Sequence, residues 1–107
     1  MKRVDHNKLV RDRIPDIIAA AGDRPTTRVL DRAEYIHELR RKLVEEVGEF
    51  NSSNDAEELI DILEVVYAIA SRMGIDPIQL EKMRNAKKEK RGGFETKVFL
   101  IHTESRE

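Results

Sequence analysis

Asp31 to Gly74 reads DRAEYIHELRRKLVEEVGEFNSSNDAEELIDILEVVYAIASRMG, and its punctuation decides the fold. Asp31 with Glu34, and Asn54 with Glu57, each set a capping side chain three residues before an acid. At that spacing side chain and backbone satisfy the free N–H groups of a helix start reciprocally. Two helices follow, over about 32–51 and 55–73, the first ended by an Asn51-Ser52-Ser53 loop and the second by Gly74. In the first, Ile36, Leu39, Leu43, Val47 and Phe50 keep a three-four rhythm and predict one apolar seam. From Leu59 to Ala70 the only polar side chains are Asp61, Glu64 and Tyr67, so the second helix is expected to be the central, most buried one.

Outward from this pair, Asp76 with Gln79 repeats the capping box, Pro77 fills the favoured first helical position, and Gly92-Gly93 ends a helix over about 77–91. A short helix is predicted near Ile14 to Ala21, with Pro15 in its first turn and Gly22 after it. Thr26–Leu30 and Val98–Ile101 read as extended and offer a short β-ribbon, from residues 26–30 and 98–101. The expectation is a mainly all-α helical bundle forming a single domain over residues 1–107.

Composition narrows the function. Charged residues make up 38% of the chain, against a usual figure of roughly 25%, and aromatics only 5%, so the core must be aliphatic and economical. Twenty basic residues nearly cancel 21 acidic ones, which argues against a protein whose main business is coating nucleic acid or an anionic membrane. The absence of cysteine excludes disulfides, thiolate zinc sites and thiol nucleophiles. No apolar leader and no run near the roughly 18 residues of a membrane span occur, so a cytoplasmic protein without membrane contact is expected. The helix around Leu59–Ala70 is apolar on more faces than three neighbours can cover, which predicts a homodimer or homotetramer.

The chemistry is carried by acids. Between residues 45 and 64 stand eight carboxylates and no Lys or Arg. At about 100° per residue, with Leu43 at the centre of its apolar face, Glu46 lies about 60° and Glu49 about 120° to one side, and Glu45 nearly opposite the core. Glu58 and Asp61, three apart, share a face of the next helix. A short connection makes the helices antiparallel neighbours and can bring both pairs together. A buried carboxylate costs several kcal/mol unless paired or protonated, and Asp61, inside an apolar helix, is expected to bear most of that cost and to have a raised pKa without metal. A divalent ion resolves the conflict, and all-oxygen ligation suits Mg²⁺, with Mn²⁺ as a substitute. Glu45, Asp55 and Glu57 also fit an ordinary solvated face.

A second charged stretch, Lys82, Arg84, Lys87, Lys88, Lys90 and Arg91 with one acid, Glu89, runs into Gly92-Gly93-Phe94. Cations beside a glycine pair suit a polyphosphate, and Lys88 and Arg91, with Lys8 and Arg11 near the N-terminus, are candidates to hold it. The same cations complement a helix C-terminus, or could present a helical dimer to RNA or DNA. Competing chemistries fare worse. A di-iron centre needs two ExxH motifs and only Glu34–His37 matches, while His6 and His102 lack partners at ligand spacing. Neither GxSxG nor GxxxxGK[ST] occurs.

Glu45-Glu46-Val47-Gly48-Glu49 is an EExxE motif, and Glu58-Leu59-Ile60-Asp61 is an ExxD placed to follow it on the next helix. In this the chain resembles the MazG-like all-α nucleoside triphosphate pyrophosphohydrolase superfamily. Asn7-Lys8-Leu9-Val10-Arg11-Asp12-Arg13-Ile14-Pro15 and Arg91-Gly92-Gly93-Phe94 look like the opening and closing signatures of its small house-cleaning branch, related to phosphoribosyl-ATP pyrophosphohydrolase-like domains. The resemblance implies cleavage of a nucleoside triphosphate between the α and β phosphates. It implies that Glu46, Glu49, Glu58 and Asp61 hold Mg²⁺, that Glu45 orients or deprotonates the attacking water, and that the chain self-associates. The segment between the motifs is shorter than in many members, leaving less room for a base-recognition element.

Overall fold

The helix starts behave as their caps require. A computed structural model, describing residues 2–106, places α1 at Ile14–Ala20, α2 at Arg32–Ser53, α3 at Ala56–Arg72 and α4 at Pro77–Arg91. Both outer capping boxes form: the Asp31 carboxylate accepts from the Glu34 N–H at 2.9 Å, and that of Asp76 from the Gln79 N–H at 2.8 Å. In each, the third helical residue reaches back to the cap's own N–H.

The turn between α2 and α3 is tighter than expected. Asn51, Ser52 and Ser53 continue α2, and Asn54 ends it in the left-handed region at φ 54°, its N–H donating to the Phe50 carbonyl at 2.8 Å. Asn tolerates that conformation better than most residues, so it serves the end of α2 rather than the start of α3. Asp55 is the cap of α3 instead, accepting from the Glu57 N–H at 3.0 Å. Only Asn54 and Asp55 separate the helices, which form a hairpin.

Leu39, Val65 and Ala70 are its buried apolar residues, with Glu46 buried among them. The covered face of α2 runs through Leu39, Leu43, Glu46 and Phe50, while Ile36 and Val47 of the expected seam are exposed. The seam is therefore rotated toward an acid. Of the four helices α3 is the most covered, as expected, yet in the single chain Leu59, Ile60 and Leu63 are about half exposed. Its main neighbour is α2, and α4 makes a much smaller contact with α3.

From Glu81 to Arg106 every residue is exposed, so α4 and the segment after it reach away from the hairpin. The Cα radius of gyration is 19.2 Å, with extents of 71 × 32 × 25 Å; a compact chain of this length would have a radius near 13 Å. Among the described residues there is no strand, and the predicted ribbon does not form. Residues 98–101 are exposed and unpaired, as a lone two-stranded ribbon without a packing face is marginal at best. Residues 26–30 carry Arg28, whose guanidinium hydrogen-bonds both oxygens of Glu34 at 2.6 and 3.1 Å. With the Asp31 N–H, that pair holds the Glu34 carboxyl down at about 2.

The caps give a direct test. Asp76→Ala is expected to lower stability by about 1 kcal/mol, whereas Asn54→Gly, which suits the left-handed geometry, should change it by less than about 0.5 kcal/mol. Urea unfolding at neutral pH measures both, and equal losses would contradict the assignment of Asn54.

Candidate metal centre

The two-residue turn aligns the acidic ends of α2 and α3. Glu49 and Glu46 lie about one and two turns before the end of α2, while Glu58 and Asp61 occupy the first two turns of α3. Carboxylate oxygens of Glu45, Glu46 and Glu49 lie within 4.8 Å of one another, and so do those of Glu46, Glu58 and Asp61. Glu46 belongs to both groups. All five acids singled out from the sequence are thus brought together, with Glu46 at their centre.

Glu46 is also the least accessible acid, at 6% exposure. Its Oε1 lies 3.2 Å from Lys42 Nζ, but its Oε2 and the Oε2 of Glu58 are buried without a hydrogen-bond donor. Glu58 responds as an acid with no cation must. Burial, reinforced by the adjoining Glu46 and Glu49 carboxylates, raises its pKa to about 7.

The acidic run itself holds no cation, and cations reach it from outside. Lys8 Nζ donates to Glu45 Oε1 at 3.1 Å, and Arg11 Nη2 to Asp61 Oδ1 at 2.6 Å. Lys42, one turn before Glu46 on the same helix, lies beside both Glu46 and Glu45. Burial pushes the Glu45 carboxyl up, but the Lys8 hydrogen bond and the charges of Lys42 and Lys8 outweigh it and hold the pKa below the ordinary value. Asp61 is not the deeply buried acid expected: its side chain is 38% exposed and paired with Arg11. The acids with an unmet oxygen are Glu46 and Glu58, whereas Asp61→Asn would break an ion pair.

The four predicted phosphate ligands separate into two pairs. Lys8 and Arg11 flank the acids, whereas Lys88 lies 3.9 Å from Glu95, and among the described residues neither it nor Arg91 pairs with an acid of α2 or α3. Of the basic stretch, Arg84 is engaged by Glu81 within α4. Lys42 was missed because it precedes the acidic run, but its i,i+4 spacing to Glu46 was a readable signal.

A buried, orphaned oxygen on Glu46 and another on the half-buried Glu58, within a set of ligand atoms that are all carboxylate oxygens, fit a hard divalent cation and do not fit a soft one. Glu45, Glu46, Glu49, Glu58 and Asp61 are the residues that could hold it.

No protein-family model matches the chain, and no solved structure does. An uncharacterized protein of Mycolicibacterium smegmatis is similar to part of it, 47% identical over 47 residues, which is 44% of this chain. The match spans 48% of that protein, about half its length.

The raised Glu58 pKa has a thermodynamic consequence. Between its ordinary 4.5 and about 7, the folded chain retains a proton that the unfolded chain has released. Stability is therefore lost as pH rises through that window. In EDTA, wild type should lose stability relative to Glu58→Gln from about pH 4.5 to about pH 7 and hold a constant difference above it. Paired thermal melts across pH 4 to 8 measure this, and parallel profiles would show that Glu58 ionises normally.

Proposed function

We propose that the chain is a Mg²⁺-dependent nucleoside triphosphate pyrophosphohydrolase of the MazG-like all-α type, hydrolysing its substrate between the α and β phosphates to a nucleoside monophosphate and pyrophosphate. The observation that carries this reading is Glu46, a buried carboxylate shared by two acidic groups, with an oxygen that no donor satisfies. Glu46, Glu49, Glu58 and Asp61 are the residues proposed to hold Mg²⁺ or Mn²⁺. When bound, the ion would neutralise phosphate charge and draw electrons from the phosphoryl oxygens.

Glu45 stands at the rim of the acids, partly exposed and hydrogen-bonded by Lys8. A carboxyl held below its ordinary pKa is ionised at neutral pH but weakly basic, so it suits orienting a water better than taking its proton while Lys8 is attached. Lys8 and Arg11, on the segment that resembles the opening signature, are close enough to the acids to serve a substrate phosphate. A nucleotide-pool cleaning role is the physiological reading that accompanies this chemistry.

Self-association belongs to the same proposal. The exposed Leu59, Ile60 and Leu63 face and the extended shape support a homodimer or homotetramer in which helices pack across the interface. Among the described residues no helix is long and apolar enough to cross a membrane. A non-enzymatic reading, with α4 presenting its cations to RNA or DNA, draws support from their exposure. Strongly salt-dependent nucleic-acid binding without phosphate release would favour it.

Pyrophosphate release from a panel of normal and damaged nucleoside triphosphates, with Mg²⁺ and with Mn²⁺, tests the main reading. Glu46→Gln and Glu58→Gln should each lower turnover by more than about 100-fold, since loss of even an outer-shell partner costs about 10- to 100-fold. Unchanged Mg²⁺ affinity in both variants by calorimetry would refute the metal assignment. Light scattering should show a dimer or tetramer, and an active monomer at micromolar concentration would contradict the oligomer.

A further inference from the structure

The N-terminal segment is tied across the hairpin by Lys8 to Glu45 and by Arg11 to Asp61. Between residues 8–9 and the outer face of α2 lies an open groove of about 520 Å³, within the roughly 300–1,000 Å³ of small-molecule sites. The groove opens beside the acids, because Glu45 belongs both to its wall and to the acidic cluster, and Lys42 of its wall pairs with Glu46. Four cations line it, Lys8, Arg40, Arg41 and Lys42, against the acids Glu38 and Glu45. Leu9 and Val44 supply an apolar floor.

We propose that this groove receives the polyphosphate end of the substrate, with Arg40 and Arg41 as its principal anion ligands. The assignment rests on the metal-centre reading above and places the phosphates on α2, not on Lys88 and Arg91 of α4. Arg40 has no acidic partner among the described residues, and Arg41 forks onto Glu38 at 3.0 Å to each oxygen on the groove's own wall. A planar guanidinium in either place matches phosphate oxygens two at a time. By contrast, α4 starts after Gly74, at the end of α3 remote from Glu58 and Asp61.

The groove's charge depends on the metal. Without it, Lys8 and Lys42 are drawn to Glu45 and Glu46. A divalent cation held by those carboxylates would take over the charge that restrains both lysines, freeing them toward the groove. Metal and polyphosphate would then bind cooperatively, each favouring the other by the same factor.

Calorimetry with two probes tests this. Mg²⁺ is titrated alone, and inorganic pyrophosphate is titrated with and without excess Mg²⁺, into wild type, Arg40→Ala, Arg41→Ala and Arg40→Lys, and into Lys88→Ala and Arg91→Ala for comparison. Mg²⁺ affinity should stay within about twofold across the set, since neither arginine touches the five carboxylates. Pyrophosphate should bind at least about tenfold more weakly to both alanine variants, as for a lost charge-assisted hydrogen bond, with partial recovery in Arg40→Lys. Both positions are exposed, so circular dichroism should show unchanged folding. The groove assignment is overturned if both alanine variants bind pyrophosphate as wild type does, if wild type does not bind it, or if the loss appears only in Lys88→Ala and Arg91→Ala. Should wild type fail to bind Mg²⁺ alone, the metal reading falls, while the metal-free pyrophosphate titration still judges the groove by the same two variants.

Discussion

The burial of one carboxylate organises this chain. Glu46 occupies a seam position that an aliphatic residue would fill in an ordinary helical hairpin, and only one of its oxygens is met by a cation. An unmet buried charge costs more than the contacts around it return, so it must be relieved by protonation, by a cation or by a metal. Protonation falls on its neighbour, Glu58, which shares the same desolvated space and holds its proton up to about pH 7. Cations arrive as Lys42 from the same helix, and as Lys8 and Arg11 from a segment more than thirty residues away in sequence. Those two ion pairs tie the segment across the hairpin, with Leu9 and Val10 half-buried between them.

The rest of the chain shows what a small apolar inventory can cover. The α2–α3 hairpin has its own buried residues, Leu39, Val65 and Ala70, yet leaves Leu59, Ile60 and Leu63 half exposed. Sliding Glu46 into the seam, where Val47 was expected, has a cost of this kind: each apolar side chain displaced from the hairpin interior adds to the uncovered surface. Two features thus share one origin, an acidic interior and an apolar exterior around the same hairpin.

This origin also explains what could be read from the residues alone. Helix starts were legible because capping is local: Asp31 with Glu34 and Asp76 with Gln79 need nothing beyond three residues of context. At Asn54-Asp55 two capping residues compete, and Asn54 went to the end of α2 because it accepts the left-handed conformation there. The five acids were legible as a set because spacing places them on facing helix flanks. Their ranking was not. Asp61 looked the more isolated because its helix is apolar, but Arg11 lies fifty residues away and could not be placed from sequence, whereas Glu46 fits a 39-43-46-50 rhythm as well as Val47 fits its own. That Lys88 and Arg91 lie apart from the acids was hidden for a related reason, since chain order does not reveal that α4 leaves the hairpin.

Charge balance at the centre connects the acids to the groove. Glu45, Glu46, Glu49, Glu58 and Asp61, fully ionised, face Lys8, Arg11 and Lys42, an excess of two negative charges. One divalent cation would cancel that excess and remove the need for Glu58 to keep its proton. The cluster would then have no charge left to offer a triphosphate, which itself brings several negative charges into the same place. Any such substrate must find additional cations within reach of the metal, and they must not be consumed by the acids. Lys8, Arg11 and Lys42 would become available only if a metal displaced them, whereas Arg40 pairs with no acid among the described residues. On this balance an acidic centre alone would bind an ion and stop there, and it is the cation-lined wall next to Glu45 that would turn an ion site into a site for a phosphoanhydride.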